Sequence, residues 1–299
     1  MSAEHRLFTP DLVTPARVAS IRDDVLRLQG LSGLELRQTQ DARDVFHLFC
    51  EGLNLGLIRA ADKDENGAWS TNAWVKQGVL MGMKLGVIVP FSRDEETLKF
   101  SDKDTLPLRK VDAVKDNIRI VPGGTSIRNG SHIAKGVIMM PPVYVNVGAY
   151  VGEGTMLDSH SLAGSCAQIG EGCHISAGAQ IGGVLEPINA NPCIVEDDVM
   201  MGINSSISEG VILRNGVVLG AGVQITSSTP VYDIERNQIY RAEEGKPLTI
   251  PERAVVIPGI RLVKGEFAEI NRLGYATPII AKYRDPGTDA KTALEMALR

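Results

Sequence analysis

The amino-acid sequence predicts a mainly β protein built around a left-handed parallel β-helix, and three observations lead to that class. The chain has 299 residues and 31 glycines, and 18 of those glycines lie between residues 120 and 225. The same stretch contains only two aromatic residues, Tyr144 and Tyr150, and it repeats an aliphatic residue at every sixth position. Helices have a period of 3.6 and strands a period of two. A period of six therefore requires another architecture.

The repeat runs in two blocks, separated by a loop at residues 183–192. Its aliphatic positions are Ile127, Ile133, Met139, Val145, Val151, Leu157, Ala163, Ile169, Ile175 and Ile181, then Val195, Met201, Ile207, Leu213, Leu219 and Ile225. The residue two positions earlier is small or β-branched throughout, from Thr125 to Val223. A unit of six residues, with one large aliphatic side chain, one small inward side chain and a turn residue, forms one flat side of a triangular coil. When coils stack, the aliphatic side chains at equivalent positions lie above one another and are buried. The repeat predicts about five coils. A β-sandwich is disfavoured because it needs a period of two with turns every 8–12 residues.

The segments on either side of the repeat differ from it in composition. Residues 1–115 hold both tryptophans and most phenylalanines, and they predict an N-terminal helical domain. One helix is expected after Thr14 and Pro15, and others at residues 41–53 and 71–85. The β-helix is expected over residues 116–259, with a last strand at residues 254–259. Residues 260–299 are expected to form a small mixed C-terminal segment, with a helix at residues 290–298.

Composition excludes several classes of protein. The net charge of −5 and the absence of a basic stripe argue against nucleic-acid binding. No stretch approaches the ~20 apolar residues of a membrane helix, and the start of the chain does not resemble a secretory signal. The four cysteines form no CxxC pair, so reduced thiols in a cytoplasmic protein and no metal site are expected. His132, His160 and His174 lack metal-ligand spacing and are interpreted as surface histidines, although His160 lies near enough to Asp158 to line a binding pocket.

Three strings are more specific than the repeat itself. They are Gly154-Thr155-Met156-Leu157-Asp158, Gly164-Ser165-Cys166-Ala167-Gln168-Ile169-Gly170 and Gly182-Gly183-Val184-Leu185-Glu186-Pro187. Together with Ala190-Asn191-Pro192, they resemble the tetrahydrodipicolinate N-succinyltransferase family of hexapeptide-repeat acyltransferases. The similarity covers roughly residues 65–260 and weakly includes Trp69 and Trp74-Val75-Lys76.

The resemblance implies direct transfer of a succinyl group from succinyl-CoA to the amine of a small amino dicarboxylate, in lysine and diaminopimelate biosynthesis. It also implies a homotrimer with clefts between neighbouring β-helices. Amine attack on a thioester needs an orienting carboxylate or base, an N–H donor near the thioester oxygen, and cations for carboxylates and phosphates. A thioester is already activated, so no covalent enzyme intermediate is required. Ser165 and Cys166 each fit the need for a small residue at a corner and are not expected to act as nucleophiles.

The resemblance also assigns roles to individual residues. Asp158 is expected to be the catalytic residue that holds and orients the acceptor amine, and Arg119 to bind a substrate carboxylate. Ser165 is expected to bind substrate, in a segment that matches the lining of the pantetheine channel. The expected cofactor-binding residues are Gly183, in the loop whose backbone shapes that channel, with Gly220, Ala221 and Gly222. Lys264 is added to them on the ground of its charge alone, as a cation for the CoA phosphates. Lys246, Arg253 and Arg261 are further candidates for the CoA phosphates.

Two residues depart from the family pattern. Ser206 stands where family members have Glu, and Asn204 stands where they have Arg. Glu209 or Glu186 could replace the missing carboxylate. These two differences leave three alternatives to the predicted succinyltransferase. They are an acetyl-CoA-dependent relative, a succinyltransferase with a related amino-acid acceptor, and a non-catalytic β-helix scaffold. The Leu-Glu-Pro loop argues against the scaffold, which would need the repeat alone.

Overall fold

The computed structural model describes residues 13–92 and 99–289, and its first part is an N-terminal unit of helices and two short hairpins. The elements of this unit are α1 (Pro15–Leu28), α2 (Gly33–Gln38), α3 (Ala42–Asn54), β1 (Ala61–Lys63), β2 (Trp69–Thr71), α4 (Ala73–Leu85), β3 (Ile88–Pro90) and β4 (Ser101–Lys103). The strands pair antiparallel, β1 with β2 and β3 with β4.

The helices of the N-terminal unit pack around a separate apolar core. Val25 of α1, Phe49 of α3 and Val79 of α4 are fully buried in it. The helices predicted near Thr14 and at residues 41–53 and 71–85 are observed as α1, α3 and α4, although Thr14 makes no side-chain capping bond. The hairpins and α2 were not predicted. A capping box formed by Ser32 and Glu35 begins α2, and this pattern is visible in the sequence.

The central part of the chain is a parallel β-helix with three faces. Face A consists of β6 (Ser126–Ile127), β9 (Tyr144–Val145), β12 (Leu162–Ala163), β15 (Gln180–Ile181), β18 (Ser206–Ile207) and β21 (Gln224–Ile225). Face B consists of β7 (His132–Ile133), β10 (Tyr150–Val151), β13 (Gln168–Ile169), β16 (Ile194–Val195), β19 (Ile212–Leu213) and β24 (Thr249–Ile250). Face C consists of β5 (Arg119–Ile120), β8 (Ile138–Met139), β11 (Met156–Leu157), β14 (His174–Ile175), β17 (Met200–Met201), β20 (Val218–Leu219) and the start of β25 (Ala254–Leu262).

The six-residue period is confirmed by the position of its aliphatic residues. All of them occupy the second position of a two-residue strand, point inward and are buried. Equivalent residues stack in register, as in Val151, Ile169 and Val195 of face B. The expectation of about five coils was too low, because faces A and B each contain six stacked strands. A segment outside the repeat separates β24 from it and contains the antiparallel strands β22 (Val231–Asp233) and β23 (Gln238–Tyr240). The last coil therefore does not follow the six-residue period.

The turns between faces also follow the period of six. A residue with positive φ recurs at positions 148, 154, 160, 166, 172 and 178, and again at 198, 204, 210, 216 and 222. Most of these residues are glycine, which adopts this conformation without steric cost. His160, Cys166, Asp198 and Asn204 adopt it with a side chain, at φ between 55° and 65°.

The C-terminal part of the described chain is a long hairpin. The strand expected at residues 254–259 continues to Leu262 and pairs antiparallel with β26 (Gly274–Tyr283), and α5 (Glu266–Ile270) lies between the two strands. The helix predicted at residues 290–298 lies outside the described residues. No helix in residues 13–92 and 99–289 is both long enough and apolar enough to cross a membrane.

The N-terminal unit covers face B of the β-helix and is bonded to it by a buried ionic cluster. The Glu196 carboxylate, whose side chain is 2% exposed, accepts hydrogen bonds from Trp69 Nε1 at 2.8 Å, Arg214 at 2.9 Å and the Asn215 N–H at 3.0 Å. Lys63 lies 3.0 Å from the same carboxylate. Burial alone would raise the pKa of Glu196, but the bonds from Trp69 and Lys63 and the charge of Arg214 outweigh it and lower that pKa.

We expect Leu219→Ala to lower the free energy of unfolding by about 2–5 kcal/mol, because it leaves a cavity in the narrow interior of a coil. Val218→Ala is the matched control, since Val218 lies on the same strand and points outward. It should cost about 1 kcal/mol or less. Denaturant unfolding followed by circular dichroism measures both. Equal losses for the two variants would contradict the inward assignment of Leu219.

We expect Glu196→Gln to destabilise the protein at pH 7 by about 3 kcal/mol, because it removes one partner of a buried ion pair. The folded pKa of Glu196 is lowered, so its contribution is full above the unfolded value of about 4.3 and is lost as the pH falls through the folded value. The gap between wild type and variant should therefore narrow below about pH 4.3.

Unfolding followed by tryptophan fluorescence at several pH values measures this gap. Glu153→Gln is the control, because Glu153 is half exposed and pairs with Lys135 on the surface at 3.3 Å. It should change the free energy of unfolding by less than about 1 kcal/mol. A gap for Glu196→Gln that is the same at pH 7 and pH 3 would refute the ionic role.

Candidate active site

Two corners of the β-helix carry most of the predicted site residues. We call the corner from face C to face A edge CA, which contains residues 140–142, 158–160, 176–178, 202–204 and 220–222. We call the corner from face A to face B edge AB, which contains residues 128–130, 146–148, 164–166, 182–183, 208–210 and 226–228. Backbone hydrogen bonds join successive coils along each edge, and stacked coils are about 4.8 Å apart.

Asp158 lies at the start of its corner on edge CA and is half-buried. Its Oδ1 accepts the Ser159 N–H at 2.7 Å, and among the described residues its Oδ2 has no hydrogen-bond partner. One carboxylate oxygen is therefore fixed by the turn, while the other can bind a ligand. Exposed His160 lies two residues on, and it lines a cavity of about 290 Å³ on face A together with Tyr144 and Gln180.

Gly220, Ala221 and Gly222 lie on the same edge as Asp158. Backbone hydrogen bonds link Asp158 to Ile175 and continue from coil to coil up to Leu219. Asp158 and Gly220 therefore lie three coils apart, or about 14 Å along the axis. Gly222 lines a cavity of about 240 Å³ with Pro258, Thr277 and neighbouring residues of the C-terminal hairpin. The structure thus places the predicted catalytic residue and three of the five predicted cofactor-binding residues along one edge.

Arg119 lies on face C, below edge CA. Its strand pairs with β8, which pairs with β11, so Arg119 is two coils or about 10 Å from the level of Asp158. The side chain is exposed and makes no ion pair within the part of the chain that the structure describes. The guanidinium is therefore available to a carboxylate.

Ser165 and Gly183 lie together on edge AB, at the opposite end of face A from Asp158. The Val184 N–H donates to the Ser165 carbonyl at 3.1 Å. A Cβ added to Gly183 would lie 2.6 Å from the Ser165 nitrogen, so only glycine allows this close approach. Within one chain, the structure does not bring Ser165 beside Asp158, because the width of face A separates them.

The predicted phosphate-binding cations are scattered. Lys264 lies beyond the end of β25, about 16 Å along the hairpin from Gly259 and the cavity near Gly222. Lys246 pairs with Glu243 at 3.5 Å, and Arg253 pairs with Asp289 at 3.0 Å. Arg261 stacks on Tyr275, with 5.3 Å between its guanidinium carbon and the ring centroid.

The residues linked to the departure from the family pattern occupy different places. Ser206 points outward from face A between Gln180 and Gln224. Glu209 lies on edge AB, where its carboxylate accepts hydrogen bonds from the Ser227 hydroxyl at 2.6 Å and the Ser227 N–H at 3.2 Å. Glu186 is exposed in the loop that follows Gly183. Neither glutamate takes the place of a carboxylate at Ser206.

The thiols are poor candidates for nucleophiles. All four cysteines are buried, and none of them forms a disulfide. Burial raises the pKa of Cys166 and Cys173 to about 12 and that of Cys193 to about 11. These thiols stay protonated near neutral pH, and the thiolate is the nucleophilic form. Within the described residues, no three His, Cys, Asp or Glu side chains lie close enough together to hold a metal ion.

Two residues that were not predicted as site residues contact the loop after Gly183. Lys76 of α4 is completely buried and donates to the Ala190 carbonyl, and the Thr71 hydroxyl donates to Asn191 Oδ1 at 2.7 Å. A signal was present in the sequence, since Lys76 lies among the apolar residues that form the buried face of α4.

Two family models match this chain. One is described as the N-terminal part of tetrahydrodipicolinate N-succinyltransferase and matches residues 32–85, and the other is described as the hexapeptide repeat of succinyl-transferase and matches residues 192–227. A crystal structure of a Campylobacter jejuni protein, described as a 2,3,4,5-tetrahydropyridine-2-carboxylate N-succinyltransferase, aligns with a TM-score of 0.53 at 21% identity. The alignment covers 79% of this chain and only 62% of that one, and it supports the fold.

Curated relatives extend the match over nearly the whole chain. A 2,3,4,5-tetrahydropyridine-2,6-dicarboxylate N-succinyltransferase from Polynucleobacter asymbioticus is 40% identical over 263 residues, which are 87% of this chain and 90% of the relative. A protein of the same name from Xylella fastidiosa is 37% identical over 287 residues, which are 94% of this chain and 97% of the relative. The chain therefore belongs to the tetrahydrodipicolinate N-succinyltransferase family.

Proposed function

We propose that the protein transfers a succinyl group from succinyl-CoA to the amine that is released when water opens the cyclic imine of 2,3,4,5-tetrahydropyridine-2,6-dicarboxylate. The observation that carries this proposal is the arrangement on edge CA. The half-buried Asp158, with one carboxylate oxygen left for a ligand, shares that edge with Gly220, Ala221 and Gly222. The relatives that bear this activity in their names span nearly the whole chain.

In the proposed reaction, the acceptor amine attacks the thioester carbonyl carbon. The new C–N bond forms, the C–S bond breaks, and CoA leaves as the thiolate, which takes up the proton that the amine nitrogen loses. Asp158 accepts a hydrogen bond from the amine through Oδ2 and orients its lone pair toward the thioester. Arg119 binds a carboxylate of the acceptor, because guanidinium and carboxylate form paired hydrogen bonds. The protonated, buried thiols fit a direct transfer without an acyl-enzyme.

We propose that the active unit is a homotrimer of left-handed β-helices, because Asp158 and the pair Ser165 and Gly183 lie at opposite ends of face A. Three-fold symmetry would place edge CA of one protomer against edge AB of the next. The uncovered faces support this arrangement. Ile194 and Ile212 on face B are buried under the N-terminal unit, whereas the outward apolar side chains of face C stay half-exposed.

The same proposal includes the organisation of the chain and its location. We propose an N-terminal domain over residues 1–115, the β-helix over 116–259 and a C-terminal segment over 260–299. The separate apolar cores of the N-terminal unit and of the coils support the first boundary. A cytoplasmic location is consistent with four cysteines that form no disulfide.

A second candidate is an N-acyltransferase with another donor or acceptor, and Ser206 favours it. This residue points outward between two glutamines, so the middle of face A lacks a carboxylate there. A hydroxyl is neutral and can donate a hydrogen bond as well as accept one. A site with this change could accept an amino acid whose polar group differs from that of tetrahydrodipicolinate.

We expect the wild-type protein to release CoA thiol from succinyl-CoA only when tetrahydrodipicolinate is present, and more slowly from acetyl-CoA. Asp158→Asn should lower kcat by about 10²-fold or more, since the neutral amide does not carry the charge that holds and orients the acceptor amine. Thiol release measured with both donors, with and without acceptor, tests this expectation.

Asp198→Asn is the control, because Asp198 is an exposed aspartate at a corner between faces B and C and asparagine tolerates its positive φ. Its activity should equal that of wild type. Failure to release thiol with any donor and acceptor pair would refute the transferase. Activity of Asp158→Asn within a few-fold of wild type would refute the role of Asp158 alone.

We expect Ser206→Glu to change acceptor choice rather than donor choice, because the position faces the middle of face A and not the glycines of edge CA. The ratio of kcat/KM values for tetrahydrodipicolinate and for a panel of related amino dicarboxylates should shift by about tenfold or more, as for a change in one charged hydrogen bond. The KM for succinyl-CoA should stay constant. An unchanged acceptor ratio would show that Ser206 does not contact the acceptor.

A further inference from the structure

The loop that interrupts the repeat between β15 and β16 is tied to the rest of the molecule at both ends. We call residues 184–192 the insertion loop. Its first residue, Val184, donates to the Ser165 carbonyl beside Gly183. Its last part packs beside Gly210, where an added Cβ would lie 2.7 Å from the Asn191 carbonyl oxygen. Between these ends, the loop leaves the β-helix and meets the N-terminal unit.

Two side chains of the N-terminal unit hold the far part of this loop. Lys76 donates through Nζ to the Ala190 carbonyl, and the Thr71 hydroxyl donates to Asn191 Oδ1 at 2.7 Å. The Ala190 N–H donates back to the Pro187 carbonyl at 3.0 Å, so the carbonyl bound by Lys76 belongs to a closed turn. The helix α4 and the strand β2 thus fix the turn from outside the β-helix.

The environment of Lys76 shows that this contact is more than packing. The residue is completely buried, and no carboxylate of the described chain lies within ion-pair distance of it. Burying an ammonium group without a counter-charge is costly unless its hydrogen bonds compensate. Burial lowers its pKa accordingly. An apolar residue such as Met would fill the same space in α4 at less cost, so the ammonium is explained by its bond to the loop.

We propose that Lys76, assisted by Thr71, is a positioning residue that fixes the insertion loop and thereby the backbone at Gly183 that shapes the acyl-CoA site. The inference rests on the proposed function for the identity of the ligand, but the effect on the loop does not depend on it. The N-terminal domain then contributes to donor binding without touching the donor. Its effect on the backbone at Gly183 depends on the turn of the insertion loop that contains Ala190.

The test uses the full-length protein and the variants Lys76→Met and Thr71→Val. Met keeps the length of the side chain and removes its charge and its donors. We expect hydrogen–deuterium exchange in residues 184–192 to become about tenfold faster in Lys76→Met, as expected for loss of a charged hydrogen bond. The KM for succinyl-CoA should rise by a similar factor, while kcat and the KM for the acceptor stay within about twofold.

Lys84→Met is the matched control, because Lys84 belongs to the same helix and donates to the Gln29 carbonyl at 3.3 Å, away from the loop. It should leave loop exchange and KM unchanged. Thr71→Val should reproduce a smaller part of the Lys76→Met effect, and Thr71→Ser, which keeps the hydroxyl, should restore wild-type values. If Lys76→Met does not fold, the contrast between Thr71→Val and Thr71→Ser decides the question.

The outcomes separate this inference from the proposed function. Faster exchange in the loop without any succinyl-CoA activity in wild type would support the positioning of the loop and refute the assigned donor. Wild-type exchange in both Lys76→Met and Thr71→Val would overturn the inference even if the enzyme is an active succinyltransferase. Equal losses of kcat for all substrates, with unchanged loop exchange, would also overturn it.

Discussion

The interior of the β-helix is narrow, and the rest of the structure depends on filling it with one aliphatic side chain in every six residues. Each two-residue strand turns one side chain inward, and the next coil places an equivalent side chain directly above it, as Leu157 and Ile175 do on face C. A ring would not fit, so the aromatic residues lie outside the coil or in the N-terminal unit. The coil therefore has no inner cavity for chemistry, and the candidate site lies on its edges.

This constraint explains how much could be predicted from the sequence. The aliphatic ladder, the small residues before it and the interruption after Ile181 are local patterns with one physical solution, so the faces and their register followed from them. Asp158 and Gly220 were expected as site residues from the family resemblance, and their roles stay predictions, although the fold places both on edge CA. The number of coils did not follow from the sequence, since β24 returns to the stack only after an irregular excursion that no period describes.

The contacts between the N-terminal unit and the coils could not be predicted, because they join residues far apart in sequence. Glu196 occupies a corner position that Gly170 fills one coil earlier, and only the folded chain brings Trp69 and Lys63 to it. Lys76 similarly meets Ala190 across a large sequence separation. In both cases the sequence shows the charged residue but not its partner. The partner that explains it becomes visible only in three dimensions.

The path of the N-terminal unit along face B has a consequence for cooperativity. A stack of coils in which each touches only its neighbours behaves as a one-dimensional array, and such arrays can fray from either end. Here one unit bonds to several levels of the stack: Asn54 to Gly130, Arg59 to Gln168, Trp69 to Glu196 and the Gly67 carbonyl to Arg214. Opening any one level breaks a contact to the same rigid body that holds the others. The unit thus couples distant coils directly and favours unfolding of the array as a whole.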